Sequence, residues 1–209
     1  MKLVVATRNK DKVAEIKAIL GKAAESGRPF SDVLSLDDIG LCMDLDAVED
    51  GTAFEENAAK KAIAVRDALG NGFTVLADDS GLVVDALGGK PGVDSANFMG
   101  RDTPYPVRFD AILSQMPDGC RRARFICVMA VADEGGVRLF HGEMEGEIAQ
   151  RPMGQGFGYD PIFYLPKHGK TAAQLTMDEK NAISHRGQAL KAVIANLAIS
   201  PSTNGGPLL

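Results

Sequence analysis

Arg124-Phe125-Ile126-Cys127-Val128-Met129-Ala130-Val131-Ala132-Asp133-Glu134-Gly135-Gly136-Val137-Arg138-Leu139-Phe140-His141-Gly142-Glu143-Met144-Glu145-Gly146-Glu147-Ile148 carries the clearest β signal in the chain. An apolar run reaches a turn of two acids and two glycines, and a return run continues to about Ile148. Two strand-like runs joined by a short glycine-containing loop predict an antiparallel hairpin. Upstream, strands alternate with helices. Lys2 to Ala6 reads as a short buried strand, and Lys10 to Leu20 as a helix with Val13, Ile16 and Leu20 on one face. A second helix is expected from Thr52, where Thr52 and Glu55 have capping-box spacing, through Ala58, Ala62, Val65 and Leu69. Phe73 to Ala77 is a further strand ending in Asp78-Asp79-Ser80-Gly81, after which Leu82 to Leu87 reads either as a resumed strand or as a short helix. Pro104 to Met116 has a helical pattern with Pro106 in its first turn. Beyond the hairpin come the glycine-rich segment Gly154 to Asp160, a short strand from Pro161 to Leu165, and helical segments after Thr176 and Ser184. The combination predicts an α/β architecture with a mixed sheet and its functional residues on loops at strand ends.

With 209 residues and 45% hydrophobic content, the chain has the profile of an ordinary globular protein. No apolar run reaches the ~18–20 residues that span a bilayer. Met1-Lys2 leads straight into Leu3-Val4-Val5-Ala6 rather than a signal-like segment, so the expectation is a cytoplasmic protein with no membrane partner. Cys42, Cys120 and Cys127 lack C-x-x-C spacing and suggest neither a disulfide framework nor a thiolate zinc site. A net charge of −5 argues against a broad nucleic-acid footprint, so a phosphorylated ligand would need local cations or a divalent metal. Residues 1–199 read as a single domain, and 200–209 as a disordered tail.

Four segments concentrate polar chemistry. Thr7-Arg8-Asn9-Lys10-Asp11-Lys12 is a strand-to-helix turn able to hold phosphate, although it is no P-loop. Asn9 capping the helix, with Lys10 and Lys12 in solvent, fits the same residues. Asp78 and Asp79 are costly to bury without cations or donors, and on an ideal strand they point to opposite faces. With Glu49 they offer hard oxygen ligands for Mg²⁺ and a general base, although three solvated acids in a turn fit as well. Phe157, set between glycines, suits either stacking on a base or anchoring its loop. Finally, Ser184-His185-Arg186 places a natural N-cap, an imidazole and a guanidinium at a helix start, where unpaired N–H groups already favour an anionic or carbonyl-rich ligand.

Together, the turn at Thr7 to Lys12, Ala77-Asp78-Asp79-Ser80-Gly81-Leu82, Phe157-Gly158-Tyr159-Asp160-Pro161-Ile162-Phe163 and Ser184-His185-Arg186-Gly187-Gln188-Ala189 closely resemble the inosine triphosphate pyrophosphatase family. The resemblance runs from Leu3 to about Leu197, with the motifs in the family's order. It implies an elongated two-lobed fold with a long curved mixed sheet and a cleft between the lobes, usually assembled as a homodimer. It also implies Mg²⁺-dependent hydrolysis of the small-molecule substrates ITP, dITP or XTP to the monophosphate and pyrophosphate, which keeps them out of DNA and RNA. By the same resemblance, Thr7, Asn9 and Lys12 bind phosphate, and Arg8, Lys10 and Asp11 belong to that turn. Glu49 and Asp79 hold the metal with Asp78 beside them, and Asp79 accepts the proton. Lys61, a helical turn after Asn57, faces the phosphates, and Ser80 touches substrate. Phe157, Gly158, Tyr159, Asp160, Lys180, His185 and Arg186 hold base and sugar.

The chemistry agrees with that assignment. A 6-keto oxygen accepts where the amine of adenine donates, so donors such as Arg186 and His185 are expected to prefer the deaminated base, an unpaired buried donor costing ~1–3 kcal/mol. The chain departs from the family pattern at Ser95-Ala96-Asn97, where the family commonly has Ser-Ala-Arg, and at the less polar Tyr105-Pro106-Val107-Arg108-Phe109. A non-catalytic nucleotide sensor, a pyrophosphatase for modified pyrimidines and a protein-interaction domain are the competing readings.

Overall fold

A computed structural model describes residues 2–25, 32–45, 49–117 and 119–199; the expected tail at 200–209 lies outside them. The hairpin forms as expected. β4 (Arg122–Asp133) and β5 (Gly136–Ile148) pair antiparallel, with Asp133 opposite Gly136 at the turn. Gly136 adopts φ 113°, a backbone conformation that side chains disfavour, and Gly135 N donates to Asp133 Oδ1 at 2.9 Å.

On the other side of β4 lies β3 (Thr74–Val84), and beyond it β1 (Lys2–Val5) and β2 (Asp32–Ser35). β1 runs parallel to both of its neighbours. Parallel pairing requires crossovers, and the sequence provides them as α1 (Lys10–Glu25) and α2 (Phe54–Leu69). The short strands β6 (Phe163–Leu165) and β7 (Lys170–Thr171) complete a seven-stranded mixed sheet in the order β2-β1-β3-β4-β5-β6-β7. α3 (Tyr105–Leu113), α4 (Met177–Ile183) and α5 (His185–Ile199) are the remaining α-helices among the described residues.

Strand alternation distributes the core. Leu76 joins Ile16, Leu20, Leu190 and Val193 on the face covered by α1 and α5, whereas Val75 and Ala77 join Ala58, Ala62 and Val65 of α2 on the opposite face. A third cluster gathers Leu82, Val84, Phe109, Phe125 and Phe163 around the far half of β3 and β4.

Several expected boundaries move. β3 does not end at Asp78: Asp78, Asp79 and Ser80 lie opposite Met129, Val128 and Cys127 in an unbroken ladder. Backbone pairing with the long strand β4 carries β3 through its polar residues, so the acids sit mid-strand rather than on a loop. Leu82–Val84 completes the strand and Asp85–Leu87 forms a 3₁₀ turn, so each alternative describes half of that segment. The box at Thr52 does not form. α2 starts at Phe54 with Ala53 as its cap residue, and Thr52 N donates instead to Glu56 Oε2 at 3.3 Å. α1 extends past Leu20 to Glu25, and α3 stops at Leu113. The box at Thr176 and Glu179 is present, and Ser184 Oγ accepts from Gly187 N at 3.0 Å, capping α5 as expected.

The first turn of α5 lies directly on β5 at Gly142. A Cβ there would stand 2.0 Å from His185 O and 2.6 Å from Ala189 N, both backbone atoms. Gly142→Ala is therefore expected to lower the unfolding free energy by ~1–3 kcal/mol in urea titrations, because the helix must lift from the strand.

Candidate active site

β1 pairs with β3 only as far as Val5 and Leu76, with Ala6 N donating to Leu76 O at 2.7 Å. β3 runs on to Val84, so its edge beyond Leu76 is left without a neighbouring strand over most of its length. Side chains take up part of that edge: Lys61 Nζ donates to Asp78 O at 2.5 Å, and Ser95 Oγ accepts from Leu82 N at 2.9 Å. A cleft of about 300 Å³ occupies this gap, and residues from both faces of the sheet border it.

Asn9 caps α1, its Oδ1 accepting from Asp11 N and Lys12 N at 3.1 Å each, while Thr7 Oγ1 accepts from Asn9 N at 3.2 Å. Thr7, Arg8, Asn9 and Lys12 border the cleft. Lys10 and Asp11 do not: both are exposed outside it, because the helix turns them outward as it starts. Arg8 donates to Met43 O and Leu41 O at 3.1 Å each, tying the turn to the segment that forms the adjoining wall.

On the α2 face, Asn57 and Lys61 converge on Asp79, as their one-turn spacing requires. Asn57 Nδ2 donates to Asp79 Oδ2 at 3.1 Å, and Lys61 Nζ lies 3.7 Å from Asp79 Oδ1 and donates to the Glu49 carboxylate. Burial pushes the Asp79 carboxyl above its ordinary range despite the opposing fields of Lys61 and Lys12. Lys61 is pulled toward the neutral form by its own burial, but the three acids around it, Asp79, Asp78 and Glu49, more than compensate and keep it charged. Glu49 and Asp79 therefore present two hard oxygen donors to the cleft, a set suited to a cation that takes its other ligands from water and phosphate.

Asp78 is not part of that set. It projects from the opposite face, does not border the cleft, and binds Lys12 Nζ at 2.9 Å, Ser80 Oγ at 3.1 Å and Arg186 Nη2 at 3.5 Å. In an unbroken strand, adjacent residues point to opposite faces, which sets Asp78 apart from Asp79. Arg186 also bonds Glu15, and its Nη2 donates to Ser80 Oγ at 3.1 Å. Lys180 joins Glu15 Oε1 at 2.8 Å to Asp160 Oδ2 at 2.6 Å. An alternating chain results, Lys12–Asp78–Arg186–Glu15–Lys180–Asp160, buried except at Lys12.

Burial opposes charge on Asp78 and Glu15, but Lys12 and Arg186 around the first, and Arg186 and Lys180 around the second, hold both carboxyls below their usual values. For Asp160 burial wins over Lys180 and pushes the carboxyl up. Glu15 is the functional-site residue that the motif reading misses. Its spacing from Lys12 and Ile19 puts it on one face of α1 with them, and that is the signal that could have found it.

Ser80, Phe157, Gly158, Tyr159, Asp160, Lys180, His185 and Arg186 all border the cleft. His185 is stacked on Phe125, with ring centroids 4.9 Å apart and an interplanar angle of 15°. Its burial and the cations Arg186 and Lys180 lower its pKa well below 6.5, so the imidazole is neutral rather than a pH-dependent charge. A neutral imidazole offers one donor and one acceptor and cannot by itself tell a keto group from an amine. Ammonium and guanidinium groups, as on Lys180 and Arg186, only donate. Met43, Asn97, Tyr105 and Phe125 also border the cleft, although no motif singled them out as site residues.

A family model described as the Ham1 family matches residues 3–196. A dITP/XTP pyrophosphatase from Geobacter sulfurreducens is 47% identical over 194 residues, covering 90% of this chain and 92% of that protein. Another from Halalkalibacterium halodurans is 44% identical over 193 residues, covering 90% and 94%. The solved structure of a HAM1 protein from Coxiella burnetii superimposes with a TM-score of 0.82 at 37% identity, covering 96% of this chain and all of that one.

Removing the cation at the centre of the chain leaves Asp78 with Lys12 and Glu15 with Lys180 as their remaining salt-bridge partners, so Arg186→Ala is expected to cost ~3 kcal/mol of stability in urea. The stability that the lowered carboxyls contribute is present above their ordinary values of 3.8 and 4.5 and is lost as pH falls through the lowered ones. Arg186→Ala releases both carboxyls from the cation that held them low, so below the ordinary carboxyl range its urea midpoint should fall less steeply with falling pH than that of the wild type.

Proposed function

The chain belongs to the Ham1 family, and from that premise we propose that it hydrolyses ITP, dITP and XTP to the nucleoside monophosphate and pyrophosphate, clearing deaminated purines from the nucleotide pool. One observation carries the reading: Lys12, Lys61, Glu49 and Asp79 border the same cleft as Phe157, Asp160 and Lys180. The first group offers two cations to phosphate oxygens and two carboxylates to a divalent cation, and the second offers a base an aromatic surface, a carboxyl and a fixed donor. A pure sensor has no need of the first group's acids.

Glu49 and Asp79 would hold Mg²⁺, which supplies positive charge to the phosphate oxygens. Asn57 fixes one Asp79 oxygen, leaving the carboxylate oriented to take a proton from the attacking water. Attack on the α-phosphorus breaks its bond to the bridging oxygen, and Lys12 and Lys61 offset the charge that develops on the departing pyrophosphate. Lys180 and Arg186 favour a 6-keto purine because the amine of adenine would meet groups that only donate. The proposal extends to a homodimer acting in the cytoplasm on free nucleotides. No helix among the described residues is long and apolar enough to cross a membrane.

Pyrophosphate release with Mg²⁺ tests the reading, comparing ITP, dITP and XTP with ATP, GTP, CTP and TTP. Strong release confined to the deaminated purines supports it, whereas ITP binding without release would make the protein a sensor. Asp79→Asn is expected to lower turnover at least ~100-fold, in line with the usual contribution of a positioned base. Its urea midpoint should stay near the wild-type value, because burial already disfavours a charge at this position.

A further inference from the structure

Tyr105 opens α3, in the stretch where the chain departs from the family pattern, and it borders the cleft. The ring is held from within the protein. The Arg108 guanidinium carbon lies 4.9 Å from its centroid, and Tyr159 meets it edge-on at 5.3 Å, with an interplanar angle of 85°. Arg108 is itself fixed, donating to Thr103 O at 2.9 Å, Ala96 O at 2.8 Å, and Gly100 O and Arg101 O at 3.0 Å each. Tyr105 is thus mounted on a rigid base, with little rotamer freedom left to lose on binding.

The two tyrosines differ in what their hydroxyls do. Tyr159 donates to Ser95 O at 2.9 Å and is structural. The Tyr105 hydroxyl has no hydrogen-bond partner among the described residues and is influenced only by burial and by the fields of Arg108, Asp160 and Asp11. It reaches the backbone at Gly158, 3.7 Å from where a Cβ on that residue would stand. Gly158 lies between Phe157 and Asp160, in the loop that the proposed function assigns to the base. A rigid ring bearing a free hydroxyl at that loop is a ready hydrogen-bonding group for a nucleoside.

We propose that Tyr105 is a specificity-determining contact for the nucleoside moiety, its hydroxyl hydrogen-bonding the sugar or base of the bound nucleotide while its ring closes the adjoining wall. The proposal rests on the nucleotide-hydrolysing reading above. Tyr105→Phe removes only the hydroxyl and keeps the packing on Arg108 and Tyr159. Steady-state ITP hydrolysis by this variant is compared with wild type, with IMP and inorganic pyrophosphate as inhibitors representing the two ends of the substrate. Loss of one such bond predicts a KM for ITP raised roughly three- to tenfold with kcat little changed. Inhibition by IMP should weaken by the same factor, and inhibition by pyrophosphate should stay at the wild-type value. A purely structural role would leave Tyr105→Phe indistinguishable from wild type and would overturn the proposal, as would equal weakening by both inhibitors. A wild-type protein that hydrolyses no nucleoside triphosphate would instead overturn the functional reading, and this contact with it.

Discussion

The unequal lengths of β1 and β3 set the place of the site. β1 stops beside Leu76 while β3, held by β4 on its other edge, continues to Val84. A strand edge carries unpaired N–H and C=O groups that need partners, and here Lys61 and Ser95 supply some of them. The gap beyond Val5 gives the turn at Thr7 room to face the middle of β3. Side chains from both faces of the sheet can reach the same cleft only because no strand intervenes there.

The second constraint is the cost of burying charge. Asp78, Glu15, Lys180 and Arg186 are all nearly inaccessible to solvent, and isolated charges in such surroundings would not persist. Alternation of sign along Lys12–Asp78–Arg186–Glu15–Lys180–Asp160 resolves this, and it joins α1, β3, α4 and α5 through side chains. The groups proposed to meet phosphate and those proposed to meet the base are anchored in one network. A substitution at either end therefore acts on both.

Close packing sets the position of the α5 helix. Gly142 lets its first turn approach β5, and Gly187 lets the junction with α4 close, since a Cβ on Gly187 would stand 2.0 Å from Asn181 O. His185 is thereby laid on Phe125, buried and neutral. The donors of Arg186 that point inward belong to the fold first: Glu15, Ser80 and Asp78 occupy them.

By itself, the sequence determined whatever is decided within a few residues. The hairpin at Asp133 to Gly136, the caps at Asn9, Thr176 and Ser184, the convergence of Asn57 with Lys61, the mixed α/β sheet and the family resemblance were all legible, because turn chemistry, capping and helical periodicity are local. Only the tertiary structure decided that β3 runs unbroken through Asp78 and Asp79, that these acids serve opposite faces, that Lys10 and Asp11 turn away, and that Glu15 is buried between Lys180 and Arg186. Glu15 lies 165 and 171 positions from those partners. Such a buried charge is stable only when residues far along the chain bring the opposite charge to it, and no local pattern encodes that meeting.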